Sequence, residues 1–322
     1  MAGKYSRAKL AKKYRSVPRG RSFGKKRGKG LKRRARQAEK LLFLAAVALV
    51  LVLLLKLVIG VVFKTGNTSI NLSDVEAMRI PIASVEKLNE LSGKYGVPLA
   101  DMLTVYSVEN KFFPEKNPDI DTSGLETQFA ENFDKIKAKY SSSALKPFED
   151  LFSSIIGDIK CFPVKSDPND SEIPYIYSDS WGALRTEGCD RAHEGCDVLD
   201  RDNVRGRLQV VSMTDGTVKD CGWTQLGGYC LGIVAGSGNY YYYAHLERYA
   251  DGIGKGAAVK AGDLLGYMGD SGYGKEGTVG QFPVHLHVGI YPAAKITSKE
   301  YAVNPYPFLR LAEMEQSGGN AS

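Results

Sequence analysis

The chain has 322 residues, of which 43% are hydrophobic and 25% charged, with a formal net charge of +7. That length admits about two ordinary domains, and the composition excludes a wholly disordered chain or one too small to build a core without disulfides or metal. The +7 describes neither half: residues 1–40 hold 17 Lys and Arg against the single acid Glu39, leaving a net of −9 for residues 41–322.

Residues 1–40 are rich in Gly, Arg and Lys with little apolar content, which predicts a disordered basic arm. Nothing resembling a nucleic-acid-binding pattern accompanies it, so no nucleic-acid partner is expected; attraction to anionic lipids accounts for its charge. Residues 41–63 then form an apolar run broken only by Lys56. At about 1.5 Å per residue this makes roughly 35 Å of helix, enough to cross a bilayer with some tilt. No small-x-small cleavage site follows before Lys64, which argues against a removed signal peptide. With the cations concentrated on one side, the positive-inside rule predicts a single-pass membrane protein whose N-terminus is cytoplasmic and whose residues 64–322 are extracytoplasmic.

After a short polar linker, the pattern from Ser73 to Ile159 is helical. Leu99, Met102, Leu103 and Tyr106 recur at helical spacing, as do Leu125, Phe129, Phe133 and Ile136, and then Phe148, Leu151, Phe152, Ile155 and Ile159. Ser84 is a candidate N-cap, although Lys87 stands where a full capping box needs Glu or Gln. Residues 64–165 therefore read as a small helical spacer. Beyond Pro163 short β-type runs alternate with Gly, Asp and Asn, predicting an antiparallel β domain over residues 166–312 and a polar tail at 313–322. The fold class expected is multidomain and mainly β, with a membrane helix and a helical spacer in front.

All five cysteines lie in the outer part, at 161, 189, 196, 221 and 230, which suits an oxidising compartment. Cys221 and Cys230 flank a turn-like stretch and are expected to face each other across a hairpin as a disulfide. Cys196, the strand neighbour of Asp197, is expected to point away from whatever Asp197 faces.

All four histidines fall within 95 residues: His193 with Asp197, His245 in a tyrosine-rich strand, and His285-Leu-His287. In a strand the period of two places His285 and His287 on one face and Leu286 and Val288 on the other. The same alternation predicts Tyr241, Tyr243 and His245 on a shared face, giving His245 a phenol, Tyr243, to orient it. Gly195 argues that His193 and Asp197 are delivered by a turn entering a strand. Imidazoles and a carboxylate suit zinc, which in catalytic sites takes three protein ligands, polarises a carbonyl and lowers the pKa of water toward about 7. The remaining histidines are then available for acid–base work.

Together with Trp181-Gly-Ala-Leu-Arg185, Asp215-Gly-Thr-Val, Tyr243-Ala-His-Leu246, the turn at Val259–Gly266 and Asn304-Pro305, these motifs resemble the M23 family of zinc endopeptidases, the LytM or lysostaphin type, over about residues 175–310. The resemblance implies one zinc per chain held by His193, Asp197 and His287, with His245 and His285 as the catalytic pair. It implies a small β-rich fold whose site lies in a loop-walled groove, and hydrolysis of peptide cross-links or stem peptides in bacterial peptidoglycan. The glycine-rich stretch 269–283 resembles one such loop, lengthened. Membrane-tethered relatives that act as scaffolds or hydrolase activators usually lack metal ligands; this chain keeps them all. A fainter resemblance of Tyr95-Gly-Val-Pro and Val108-Glu-Asn110 to lysozyme-like transglycosylases would make Glu109 a glycosidase acid, but its polar surroundings predict an ordinary helix end.

Overall fold

In a computed structural model of the chain, the described residues are 63–65, 68–113, 122–165, 173–185 and 191–318. The basic arm, Cys189 and all of the expected membrane span except Phe63 lie outside them. Among the described residues no helix is long and apolar enough to cross a membrane.

A hairpin of β1 (Phe63–Thr65) and β2 (Thr68–Ile70) leads into α1 (Leu72–Ala77), α2 (Ile82–Tyr95), α3 (Leu99–Glu109), α4 (Phe133–Lys137) and α5 (Ser142–Asp158). The last of these shows why the segment is helical. The Ser141 hydroxyl accepts the Ala144 N–H at 3.3 Å, capping the first turn, and Leu145, Phe148, Leu151, Phe152 and Ile155 form one buried stripe. Each such side chain stabilises the fold by about 1.5–3 kcal/mol on full burial. Phe148 and Phe152 pack on Phe112 at ring separations of 5.2 and 6.2 Å.

Two local expectations are corrected. Ser84 is not an N-cap: α2 begins at Ile82, and the buried Ser84 hydroxyl pairs with Tyr106 Oη at 3.0 Å. Leu125, Phe129 and Phe133 are buried as the stripe requires, but residues 122–132 are 3-10 turns around one wider π turn before α4 begins. Packing of Phe129 edge-on against Tyr106 and Phe133 overrides the simple period there.

The β part comprises β3 (Tyr175–Tyr177), β4 (Leu184–Arg185), β5 (Arg191–Ala192), β6 (Cys196–Asp200), β7 (Gln209–Val211), β8 (Gly216–Thr224), β9 (Gly228–Ala235), β10 (Tyr240–Tyr249), β11 (Ala258–Val259), β12 (Leu264–Met268) and β13 (His285–Tyr291). Nine of these make one sheet in the order β11-β8-β9-β10-β13-β6-β3, with β12 joined to β10 and β7, while β4 and β5 form a separate hairpin. Every ladder is antiparallel, as the alternating runs predict.

The helical and β parts fall in one compact unit and are joined by specific contacts. At the end of α5 the Asp158 carboxylate accepts Asn239 Nδ2 at 2.9 Å and the Tyr241 hydroxyl at 3.0 Å. Val164 forms a bridge to Val210, and the buried Asn304 side chain donates to the Ala77 carbonyl at 3.0 Å. Part of the stretch read as a polar tail is helical. A helix, α6, runs from Tyr306 to Gly318, and Glu313 accepts from Tyr177 Oη and Arg310 Nη1, each at 2.7 Å.

Cys221 and Cys230 do sit on the two arms of the β8–β9 hairpin, but the register pairs Cys221 with Leu231 and Cys230 with Gly222. This one-residue offset sends their side chains to opposite faces, and the expected disulfide is not formed; both thiols are free. Cys196 is buried beside the Ser178 carbonyl, away from the face that Asp197 occupies.

Candidate metal centre

Register delivers the first two candidate ligands. β13 pairs with β6 so that His287 stands directly opposite Asp197, and directly opposed residues share a face. His193 arrives from the turn entering β6, its ring brought in by the tight passage at Gly195. A Cβ at position 195 would lie 2.3 Å from His287 Cε1 and 2.6 Å from the Val288 carbonyl oxygen, so only glycine fits beneath the imidazole.

The result is a triangle of ligand atoms. His193 Nε2 lies 2.9 Å from His287 Nδ1 and 3.0 Å from Asp197 Oδ1, and His287 Nδ1 lies 3.0 Å from the same oxygen. His193 Nδ1 donates to the Ser180 carbonyl at 2.9 Å. Because a carbonyl oxygen only accepts, the neutral ring keeps its proton on Nδ1 and directs an Nε2 lone pair into the triangle. His193 Nε2 and Asp197 Oδ1 then meet lone pair to lone pair, an arrangement that a bound cation relieves. Two imidazoles and a carboxylate converging in this way form the kind of donor set that zinc takes, so the residues fit the metal. Burial opposes ionisation of Asp197, yet the imidazoles of His193 and His287 beside it outweigh that cost and hold its carboxyl far below the usual range. Burial also pushes the His287 imidazole down, against the pull of Asp197. Both effects favour the deprotonated forms that bind metal.

His245 and His285 stand beside the triangle with ring centroids 4.6 Å apart. His285 projects from the same face of β13 as His287, while Leu286 and Val288 are fully buried on the other, as alternation predicts. Its Nδ1 donates to the Pro283 carbonyl at 2.8 Å, and His245 Nδ1 donates to the Ser271 carbonyl at 2.8 Å. Each neutral ring therefore carries its lone pair on Nε2. Burial, then the neighbouring His285 and His287, push the His245 imidazole well below its ordinary value.

Tyr243 does not orient His245. Between Tyr243 and Leu246 the register against β9 shifts, with three steps on β10 against two on β9, and His245 sits in this bulge at φ 65°. The face alternation therefore slips by one. Tyr243 turns into the core, where its hydroxyl accepts the Met213 N–H at 2.9 Å, and Tyr242 takes the site face, its ring 6.1 Å from that of His287.

These groups line a groove of about 770 Å³. One wall is the 269–284 loop, with the Phe282 ring 4.7 Å from that of His245 and Tyr273 behind it at 5.2 Å. Opposite, Leu184 at the β4–β5 hairpin is 81% exposed. Sequence reasoning missed Ser271, whose carbonyl sets the His245 proton. Its buried hydroxyl donates to the Leu246 carbonyl at 2.7 Å and accepts the Tyr229 N–H at 3.0 Å. A backbone carbonyl leaves no mark in the sequence that could have revealed it.

Glu109 sits in a polar, ion-paired setting at the end of α3. Burial would raise its pKa, but hydrogen bonds from Lys139, at 2.6 Å, and Tyr140 outweigh it and lower the value. It lies outside the groove.

The family model for peptidase family M23 matches residues 191–305, the stretch that holds every one of these histidines. A crystal structure from Ruminococcus gnavus ATCC 29149, of a protein provisionally named glycyl-glycine endopeptidase lytM, is 39% identical, covers 75% of this chain and 90% of that one, and superposes with a TM-score of 0.60. The chain belongs to peptidase family M23. Within the family it is 41% identical over 139 residues to the L-Ala--D-Glu endopeptidase of Bacillus subtilis (strain 168), covering 43% of this chain and 41% of that protein. It is 29% identical over 115 residues to the lysostaphin of Staphylococcus simulans, covering 35% of this chain and 21% of that one. The chain thus spans less than half the length of these curated relatives. The M23 match contains His193, Asp197, His245, His285 and His287, but leaves α1 to α5 outside it.

Proposed function

We propose that this chain is a zinc-dependent endopeptidase that hydrolyses peptide bonds of bacterial peptidoglycan. The observation that carries the reading is the convergence of three candidate ligand atoms within about 3 Å of one another, beside two further imidazoles each held through Nδ1 by a backbone carbonyl. The M23 relatives, the L-Ala--D-Glu endopeptidase of Bacillus subtilis among them, support the reading.

In this reading His193, Asp197 and His287 hold one zinc ion, which when bound supplies a Lewis acid for the scissile carbonyl and acidifies a water. The protein's own part is proton management. His245 or His285, each pinned through Nδ1 to a backbone carbonyl, takes the proton of the attacking water on Nε2. The proton gained on Nε2 is then returned to the leaving amine, and the other imidazole, once protonated on Nε2, donates to the developing oxyanion. Phe282 and Tyr273 exclude water from one side of the imidazole pair. We also propose that residues 41–63 anchor the protein in the bacterial membrane with the catalytic part outside, the basic arm meeting anionic lipid on the cytoplasmic side.

The test is digestion of purified peptidoglycan by the chain with zinc and after chelation, with products identified by mass spectrometry. Zinc-dependent appearance of new amino termini supports the reading. Anhydro-muramyl ends would point to a transglycosylase, and the absence of products to a scaffold.

A further inference from the structure

The groove does not end at the metal centre. Tyr291, at the far end of β13, lines both the catalytic groove and a second cavity of about 740 Å³. Tyr291 lies four residue steps along the strand from His287, about 13 Å. The floor of this second cavity is aromatic, with Tyr240 edge-on to Tyr291 at 5.8 Å. Gly232 makes room for it, since a Cβ there would fall 1.8 Å from the Tyr240 hydroxyl.

Its rim is cationic. Lys219, Lys295 and Lys299 all line it, and the Lys219 ammonium stands 5.5 Å from the centre of the Tyr240 ring. None of the three is ion-paired with a carboxylate among the described residues. Of the two acids on the rim, Asp220 already has Lys255 at 4.0 Å and accepts the Tyr240 hydroxyl at 3.3 Å, leaving Glu300 at the outer edge. The wall is a fixed structure. Asn239, fully buried and tied to Asp158, accepts the Ala293 N–H at 2.8 Å, the Tyr301 hydroxyl donates to the Ala294 carbonyl at 2.8 Å, and Ile296 is buried beneath.

We infer that this cavity is a substrate subsite for a carboxylate carried by an acidic peptide, three to four residues from the bond being cut. The spacing follows from an extended chain that advances about 3.3–3.6 Å per residue along the 13 Å between His287 and Tyr291. The inference rests on the endopeptidase reading and narrows it: a cationic extension selects acidic stem peptides over uncharged glycine bridges.

The test is calorimetric titration of the full-length, zinc-loaded chain carrying His245→Ala to suppress turnover. The probes are the stem tetrapeptide of L-Ala, D-Glu, diaminopimelate and D-Ala, the same peptide with its carboxylates amidated, and pentaglycine. The acidic peptide should bind about tenfold more tightly than its amidated form, as several exposed charge contacts worth a few-fold each imply. Combining Lys219→Gln, Lys295→Gln and Lys299→Gln should erase that difference at unchanged Tm and leave the amidated peptide and pentaglycine unaffected. Equal affinity for the acidic and amidated peptides, an acidic preference that survives the triple substitution, or binding of none of the probes would overturn the inference. Wall digestion by the unsubstituted chain judges the endopeptidase reading separately, so either can fail alone.

Discussion

Gly195→Ala tests the geometry of the site through one methyl group. At an ordinary position the substitution stabilises by about 0.4–1 kcal/mol, because alanine has less freedom to lose on folding. Here the new Cβ would stand 2.3 Å from His287 Cε1 and 2.6 Å from the Val288 carbonyl, where ordinary contact begins at 3.4 Å. The imidazole must retreat by about 1.1 Å and the carbonyl by about 0.8 Å. Neither is a floppy end, since one is a candidate ligand and the other lies in the β6–β13 ladder. Overpacking of this kind costs about 1–3 kcal/mol, or a Tm lowered by roughly 2–12 °C in a unit of this size. Displacing His287 also opens the ligand triangle, and a disturbed supporting shell typically weakens metal binding by about 10–100-fold. Thermal melts and zinc titration against a competing chelator read the two effects. A variant that melts at or above the parent temperature with unchanged zinc affinity would refute the close approach.

His287→Ala and Asp197→Ala should each lose most of the bound zinc by elemental analysis, and full occupancy in both would refute the ligand assignment. His245→Ala and His285→Ala should keep zinc and slow turnover by roughly 10²- to 10⁴-fold, read as kcat on peptidoglycan fragments. Since burial lowers the His245 pKa, it stays a neutral base to lower pH than a free imidazole, and the acid limb of kcat should fall below the ordinary histidine range. Asp215 is held at about 2, first by the Lys160 ammonium and then by the Ala261 N–H. Its contribution to stability is thus present above about pH 4 and lost as pH falls toward 2, and Asp215→Asn should remove that part of the acid sensitivity of Tm. Glu109→Gln should leave wall digestion unchanged, and loss of sugar-cleavage products on that change alone would reveal a second active centre.

What the sequence by itself determined are the features written in local periodicity. The period of two in His285-Leu-His287 decided which face each residue takes, and the 3.6-residue stripe from Phe148 to Ile159 decided how α5 is buried. In both cases one face meets the core and the pattern admits one answer. His193 and Asp197 were legible as candidate ligands because metal-binding side chains must be particular residue types. Tertiary structure alone decided the rest, because register, bulges and backbone carbonyls have no residue signature. An extra residue in β10 turned Tyr243 inward and brought Tyr242 to the site. A one-residue offset between β8 and β9 kept Cys221 and Cys230 apart. Long-range hydrogen bonds from Asp158, Asn304 and Glu313 joined the helices and the C-terminal helix to the sheet, where composition predicted a spacer and a frayed tail. The proton positions of His193, His245 and His285 follow from the carbonyls of Ser180, Ser271 and Pro283, two of them far along the chain, and folding alone brings those oxygens to the rings.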